Sequence, residues 1–366
     1  MDEQQTDLPG SNRAGSEMPA GEMPAGDTLA GGASQTAEAA TEGERPFASR
    51  IDLEPLRVAV ARVRSEVARV IVGQEDMIDQ IIAAVLVGGH VLIEGVPGIA
   101  KTLTAKLVAR TLSIDFSRIQ FTPDLMPSDV IGTSIFNMKS AEFEFRKGPI
   151  FSNLVLIDEI NRAPAKTQSA LFEVMQERQI TVDGQTYPMA PPFLVLATQN
   201  PIEQEGTYRL PEAQLDRFLF KVEAGYPTAD EEFRILADAH RRHDEPESVT
   251  IEPVMSGADV VEYQRKTRLV HIDDNLMRYI TQLTLSTRGN SALYLGASPR
   301  ASLAIMAASK AFAAMSGRDF VTPEDIRRAV IPVLRHRIML TPEKEMEGGT
   351  AEGVIKQIVE RAEVPR

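Results

Sequence analysis

The stretch that decides the fold is Gly95-Val96-Pro97-Gly98-Ile99-Ala100-Lys101-Thr102. It follows a short apolar run, residues 90–94, that is typical of a buried strand, and it precedes residues 101–112, whose apolar spacing is helical. A glycine-containing loop between a strand and a helix lets backbone N–H groups surround a phosphate, and the helix amino terminus adds a favourable partial charge. The pattern predicts a phosphate-binding loop in which Lys101 contacts the β- and γ-phosphates and the Thr102 hydroxyl contacts Mg²⁺.

One position of this loop departs from the usual pattern, because Ala100 stands where a glycine commonly precedes the lysine. Alanine tolerates helical φ values but disfavours positive ones. We therefore expect a right-handed backbone conformation at Ala100.

The apolar runs around the loop predict a parallel sheet. Five short buried runs are separated by helical segments, which favours an α/β domain whose sheet is covered by helices on both faces. Two β-hairpins interrupt this alternation, one between residues 135 and 145 and one around the turn Asp183-Gly184. The five predicted strands are residues 90–94, 118–121, 154–157, 193–197 and 218–222.

The sequence predicts three parts. Residues 1–50 hold nine acidic residues against three arginines and are rich in Gly and Ala, which is typical of a disordered, low-complexity tail. Residues 51–226 form the predicted α/β core. Strand patterns then stop at Gly225-Tyr226-Pro227, and residues 227–366 predict a small all-helical domain.

Composition excludes several classes of protein. The 366 residues include no cysteine, so disulfides, thiol catalysis and thiolate zinc sites are excluded and a cytoplasmic location is expected. The net charge of −13 disfavours a sequence-independent grip on nucleic acid. The most apolar stretch is too short and too interrupted to span a bilayer, so no membrane insertion is expected.

Polar residues follow two of the predicted strands. Asp158 and Glu159 emerge from residues 154–157, and Asn200 follows the run that ends at residue 197. Ligands bind at the carboxyl ends of parallel strands. Asp158 is therefore predicted to reach the Mg²⁺ held by Thr102, and Glu159 to polarise the attacking water as a general base. Asn200 can hydrogen-bond the γ-phosphate or that water, although an Asn before a proline is also a common turn residue.

Two arginines stand at element boundaries. Arg217 precedes the last predicted strand, where it is either an arginine finger that reaches the γ-phosphate in a neighbouring subunit or part of a surface ion pair with Asp216. Ser298 is predicted to cap a helix, with Pro299 at its first position and Arg300 in its first turn. A cation there opposes the helix dipole, which indicates an anionic partner or a solvated side chain.

These elements, in this order and spacing, resemble the AAA+ ATPases and, among them, the MoxR family. The resemblance covers about residues 55–340. The phrases that carry it are residues 95–102, 121–129, 173–178, 197–201, 210–218 and 296–301.

The resemblance implies a role for each of these residues. ATP and Mg²⁺ are the implied ligands, with Thr102 and Asp158 at the metal, Glu159 as the base and Asn200 as sensor 1. Arg217 is the implied arginine finger and Arg300 the implied sensor 2. The hairpin at 135–145 corresponds to the helix-2 insert, and MoxR-like proteins often carry the alanine found at position 100. The implied nucleotide-binding residues are Gly95, Val96, Pro97, Gly98, Ile99, Ala100, Lys101, Thr102, Leu103, Val72 and Gly73.

The resemblance also implies an assembly. MoxR-type ATPases form homo-oligomeric rings, commonly hexamers, that remodel or mature client proteins together with partners carrying a von Willebrand factor A domain. One alternative is the ATPase subunit of a metal-chelatase-like complex. Another is a nucleic-acid motor, which needs basic or aromatic hairpins, whereas the 135–145 hairpin carries Glu142 and Glu144 beside Lys139.

Overall fold

The computed structural model describes residues 51–200, 207–208, 210–241 and 250–364. The predicted tail, residues 1–50, lies outside the described residues. Among the described residues, no helix is both long and apolar enough to cross a membrane.

The described strands and helices follow the predicted order closely. The strands are β1 (His90–Gly95), β2 (Phe116–Gln120), β3 (Gly132–Asn137), β4 (Glu142–Lys147), β5 (Leu154–Asp158), β6 (Gln179–Val182), β7 (Gln185–Pro188), β8 (Leu194–Gln199), β9 (Phe218–Ala224), β10 (Leu293–Leu295) and β11 (Met339–Leu340). The helices are α1 (Glu54–Ala68), α2 (Glu75–Val87), α3 (Lys101–Thr111), α4 (Pro127–Ile131), α5 (Ala165–Glu177), α6 (Glu212–Leu215), α7 (Ala229–Arg241), α8 (Gly257–Arg268), α9 (Asp274–Arg288), α10 (Pro299–Met315), α11 (Pro323–Leu334), α12 (Pro342–Met346) and α13 (Ala351–Arg361).

The five predicted buried strands form one sheet in the order β2-β5-β8-β1-β9, and every neighbouring pair is parallel. All carboxyl ends therefore lie at one edge of the sheet and all amino ends at the other. This confirms the predicted fold class, a five-stranded parallel sheet flanked by helices and followed by a helical lid.

Alternating side chains of the strands enter two cores. Val91 and Ile93 of β1 pack in the core that contains α1, α2 and α3, whereas Leu92 packs in the core that contains α5. Burial on both faces explains why these strands are almost continuously apolar rather than alternating in polarity.

Both predicted hairpins are present. β3 pairs with β4 and β6 with β7, each antiparallel, and Asp183 and Gly184 form the turn of the second pair with positive φ values. The two hairpins are linked by a hydrogen bond from Ser134 to Asp183.

The helical part packs beside the sheet through α10, whose buried side chains include five alanines that allow close approach of its neighbours. Thr322 occupies the N-cap position of α11, in a capping box with Asp325. α11 ends at Leu334, and the residues after it turn towards β9.

Candidate active site

The phosphate loop lies between β1, which ends at Gly95, and α3, which begins at Lys101. A Cβ atom at position 95 would lie 2.6 Å from the carbonyl oxygen of Ala224 in β9, so the strands approach too closely for any other residue. Gly98 has a φ of 87°, and a Cβ there would meet no atom within 4 Å. The loop is therefore open on the side where a ligand can approach.

Ala100 corrects one sequence prediction. Its backbone is left-handed, with φ 59° and ψ 22°, so the right-handed conformation expected for an alanine here is wrong. Ala100 is the N-cap of α3, and its carbonyl oxygen accepts the N–H of Thr104 at 2.9 Å. Turning the chain from loop to helix at this one residue imposes a conformation that costs an L-amino acid about 1–2 kcal/mol. Such strain is characteristic of functional loops held by their surroundings.

Lys101 points back into the loop, where its Nζ donates to the carbonyl oxygen of Gly95 at 2.6 Å. Partial burial lowers the pKa of Lys101, and the negative charges of Asp158, Glu159 and Glu94 oppose that shift. The ammonium group and these carboxylates are thus close enough to interact, as expected for one site.

Asp158 is the buried carboxylate at the end of β5. Its Oδ2 lies 3.4 Å from the donating Thr102 hydroxyl, and its Oδ1 accepts the Thr198 hydroxyl at 3.1 Å. Hydroxyl and carboxylate oxygens are the ligands that Mg²⁺ prefers, so the adjacent Thr102 and Asp158 oxygens fit this ion. The role of Thr198 in orienting Asp158 was not predicted, and its only signal is a polar residue inside an apolar run.

Glu159 is held by three contacts. Its backbone is left-handed, with φ 57°, and its N–H donates to the Thr198 hydroxyl at 3.0 Å. Its Oε2 accepts from Gln120 Nε2 at 2.9 Å and from Arg162 Nε at 3.0 Å. The predicted general base therefore stands beside Asp158, but its carboxylate is engaged by neighbouring donors.

Arg118 of β2 was also not predicted as a site residue. Its Nε donates to Asp158 Oδ2 at 2.6 Å, the same oxygen that faces Thr102. Arg118 and Gln120 flank the apolar Ile119, so a strand with one polar face was visible in the sequence. The partner of that face was not, because it depends on the pairing of β2 with β5.

Asn200 lies at the same edge of the sheet. It follows β8 directly, it is buried, and Gln199 before it is paired in register with Glu94 of β1. The sheet thus brings the predicted sensor 1 to the strand end that leads into the phosphate loop.

Residues 71–74 reach the phosphate loop from the other side. Gln74 Nε2 donates to the carbonyl oxygen of Ile99 at 2.7 Å, and Val72 is buried. A cavity of about 420 Å³ opens beside Gly73, with Ile71 among its lining residues. The structure therefore brings Val72 and Gly73, two of the implied nucleotide-binding residues, next to the loop, with space beside them.

Arg217 lies at the opposite edge of the sheet. It immediately precedes β9, whose Phe218 pairs with His90, whereas Gly95 pairs with Ala224. Five strand residues span about 17 Å, so Arg217 is far from the phosphate loop of its own chain. Its guanidinium lies 5.7 Å from the ring centroid of Phe172, and its buried Nε has no hydrogen-bond partner among the described residues.

Arg300 lies at this far edge too. Ser298 occupies the N-cap position of α10, but its hydroxyl donates to Asp216 at 3.1 Å instead of capping the helix. The predicted N-cap position of Ser298 is therefore confirmed, but its hydroxyl oxygen accepts no N–H from the first turn of α10. Asp216 also pairs with Arg337 at 2.7 Å, and the charge of Arg300 adds to the burial that lowers the pKa of Arg337. The structure therefore groups Arg300 with Arg217 and not with Lys101.

Comparisons with known proteins agree with this architecture. Residues 90–220 match the model of the ATPase family associated with various cellular activities (AAA), and residues 285–358 match the AAA lid domain. The chain is 48% identical over 314 residues to the uncharacterized protein YeaC of Bacillus subtilis, covering 86% of this chain and 96% of that protein.

Two further relatives extend the match. Chaperone MoxR1 of Mycobacterium tuberculosis is 42% identical, over 91% of this chain and 88% of that protein. A crystal structure of a putative ATPase from Cytophaga hutchinsonii superposes with a TM-score of 0.79 at 42% identity, covering 86% of this chain and 97% of that one. These matches span both the sheet and the helical lid, and they show that the chain belongs to the MoxR family of AAA+ ATPases.

Proposed function

We propose that this protein hydrolyses ATP in a Mg²⁺-dependent reaction at sites shared between neighbouring copies in a ring. The observation that carries the proposal is the division of the site between two edges of one sheet. Lys101, Asp158 and Glu159 meet at the carboxyl edge, while Arg217 and Arg300 lie at the amino edge. Each copy would thus offer a nucleotide-binding half on one edge and an arginine-bearing half on the other.

At the carboxyl edge, the loop N–H groups and Lys101 bind the phosphates, and the cavity beside Gly73 accommodates the base. Thr102 and Asp158 would hold Mg²⁺, which when bound would offset phosphate charge as a Lewis acid. Glu159 takes the proton of the attacking water, and Asn200 orients that water or the γ-phosphate. Arg217 of the next copy stabilises the charge that develops on the transferred phosphoryl group.

The hydrolysis step is tested by replacing the phosphate-loop lysine. Lys101→Ala removes the cation that faces the phosphates, so ATP binding and Mg²⁺-dependent phosphate release should both be lost. Lys106→Ala is the matched control, since Lys106 is an exposed lysine on the same helix, α3. Full turnover by Lys101→Ala would refute the proposal.

We further propose that hydrolysis drives the remodelling or maturation of a client protein, in a complex with a partner that carries a von Willebrand factor A domain. The name of the relative Chaperone MoxR1 and the family membership support the chaperone-like role. A motor on nucleic acid is less well supported, because the β3–β4 hairpin exposes the acidic Glu142 and Glu144 beside Lys139.

The client and partner can be captured on a nucleotide-trapped ring. Glu159→Gln leaves the phosphate contacts in place but cannot accept the water's proton, so it should bind ATP without turnover. Pull-downs with this variant in ATP, compared with Lys101→Ala, should enrich the client and a von Willebrand factor A domain protein. Equal recovery on both variants would argue against nucleotide-dependent client binding, and DNA- or RNA-stimulated hydrolysis would favour the motor.

A further inference from the structure

Arg118 forms a bridge that neither the sequence patterns nor the proposed chemistry uses. Its Nε donates to Asp158 Oδ2 at 2.6 Å, and its Nη2 donates to Gln120 Oε1 at 3.2 Å. Gln120 in turn donates from Nε2 to Glu159 Oε2 at 2.9 Å. One continuous chain of hydrogen bonds thus joins the metal-binding carboxylate to the general base.

The direction of this chain is fixed by chemistry. A guanidinium only donates, so Arg118 binds the oxygen of the Gln120 amide and leaves the amide nitrogen facing Glu159. Asp158 holds the other end, because its carboxylate accepts from both Arg118 and Thr102 at one oxygen, Oδ2.

Strand geometry makes the bridge possible and also makes it reversible. Arg118 and Gln120 lie two residues apart on β2 and so project from the same face, and Gln120 is paired in register with Asp158. β2 is an edge strand, and 52% of the Arg118 side chain is exposed whereas only 10% of the Asp158 side chain is. The arginine can therefore swing into solvent while the aspartate stays in place.

We propose that Arg118 is a positioning residue that couples occupancy of the metal carboxylate to release of the general base, an inference that rests on the proposed function. In the nucleotide-free chain Arg118 neutralises Asp158 and orients Gln120 to hold Glu159. Arg118 must leave Oδ2 before that oxygen can bind a divalent cation. Its departure frees the Gln120 amide to rotate, and Glu159 then loses one of the donors that engage it.

The competition between Arg118 and the cation can be measured without turnover. Mn²⁺ is titrated into the ADP complex of the full chain, and free Mn²⁺ is followed by electron paramagnetic resonance. Arg118→Met removes the competing charge at similar length, so Mn²⁺ should bind about threefold to tenfold more tightly, as expected for a half-exposed ion pair. Arg110→Met, an exposed arginine on α3, makes the same charge change away from Asp158 and should leave the Mn²⁺ affinity at the wild-type value.

A conservative variant separates charge from folding. Arg118→Lys keeps a cation that can face Asp158, so its Mn²⁺ affinity should stay near wild type. Unchanged or weaker Mn²⁺ binding in Arg118→Met would overturn the proposal, because the first means no competition and the second means that Arg118 assists the metal. If the wild-type chain itself bound neither ADP nor Mn²⁺, the proposed function would fail instead.

The coupling along the bridge is tested by a double-mutant cycle on the Mn²⁺ affinity of the ADP complex. Gln120→Leu removes the amide that helps to hold Arg118 on Asp158, so Arg118→Met should tighten Mn²⁺ binding by a smaller factor in that background than in wild type. Independent, multiplicative effects of the two substitutions would show that the bridge does not carry the coupling.

Discussion

The two edges of the central sheet differ in how their charges are satisfied. At the carboxyl edge each carboxylate has partners within the chain, since Asp158 pairs with Arg118 and Glu159 with Arg162. At the amino edge Asp216 is taken by Arg337, while the buried Nε of Arg217 has no hydrogen-bond acceptor among the described residues. The carboxylates of one edge are thus paired, whereas at the other edge a buried guanidinium nitrogen lacks an acceptor among the described residues.

This difference supports the assignment of each edge to one half of a shared site. A desolvated guanidinium nitrogen without an acceptor is costly, so its position is explained if an anion arrives from outside the chain. Under the proposed function, the carboxyl edge would exchange its internal ion pairs for nucleotide and metal. The comparison predicts that the amino edge matters for turnover and the carboxyl edge for binding.

The largest expected effect tests the amino edge. Arg217→Ala should lower ATP hydrolysis by about 10³-fold or more, the range seen for arginine fingers, and should leave nucleotide affinity unchanged because the residue lies far from its own phosphate loop. Steady-state phosphate release and binding of a fluorescent ATP analogue measure the two quantities. Arg278→Ala, an exposed arginine on α9, is the control.

Rings assembled from two different variants test whether Arg217 acts at the ATP site of a neighbouring copy. Arg217→Ala copies retain an intact phosphate loop, and Lys101→Ala copies retain an intact Arg217, so mixing the two inactive variants should restore part of the activity. Activity no higher than the sum of the separate variants would contradict an action between copies and with it the division of the site.

The two edges also differ in how far the sequence predicted them. At the carboxyl edge, local patterns were sufficient for Lys101, Thr102 and Asp158, since a strand followed by a glycine loop or by acids fixes where these side chains emerge. Arg118 was not recognised as a partner of Asp158, because the two lie 40 residues apart and meet only through strand register.

Local sequence patterns could not predict the contacts at the amino edge. Arg337 bonds Asp216 across 121 residues of chain, and the Ser298 hydroxyl reaches across 82 residues to the same carboxylate. No periodicity encodes such pairs, which depend on how α10 and α11 pack beside β9. The contact between Thr322 and Asp325, by contrast, spans only three residues of one helix start.

Acid should lower the free energy of unfolding, because two neutral histidines are buried at the amino edge. His90 accepts the N–H of Val195 and contacts the carbonyl oxygen of Met175, and burial lowers its pKa to about 4. Burial also holds the pKa of His336 well below its usual value. In the unfolded chain both should titrate near 6.5. The free energy of unfolding should therefore be at its full value above pH 6.5 and decrease as the pH falls towards 4.

Denaturant unfolding at pH 7 and pH 5 measures this effect. Over this interval His90 contributes a loss of about 2 kcal/mol, because the unfolded chain gains a proton that the folded chain does not, and His336 contributes a loss of the same sign. His90→Gln can keep both hydrogen bonds but does not titrate. Between pH 7 and pH 5 its free energy of unfolding should therefore fall by about 2 kcal/mol less than that of wild type. His271→Gln, at an exposed histidine, should lose as much as wild type. An equal loss in His90→Gln would mean that His90 is not held neutral.

The smallest expected effect concerns backbone strain at the carboxyl edge, where Ala100 is left-handed. Ala100→Gly removes the cost of a positive φ but adds freedom to the unfolded chain, so it should raise the free energy of unfolding by no more than about 1 kcal/mol. Ala109→Gly is the matched substitution, since Ala109 lies in the right-handed interior of α3 and should lose about 1 kcal/mol or more. Denaturant unfolding should therefore show changes in the free energy of unfolding that have opposite signs in the two variants. If Ala100→Gly lowered the free energy of unfolding by the same amount as Ala109→Gly, Ala100 would be right-handed after all, and the strain assigned to the carboxyl edge would be absent.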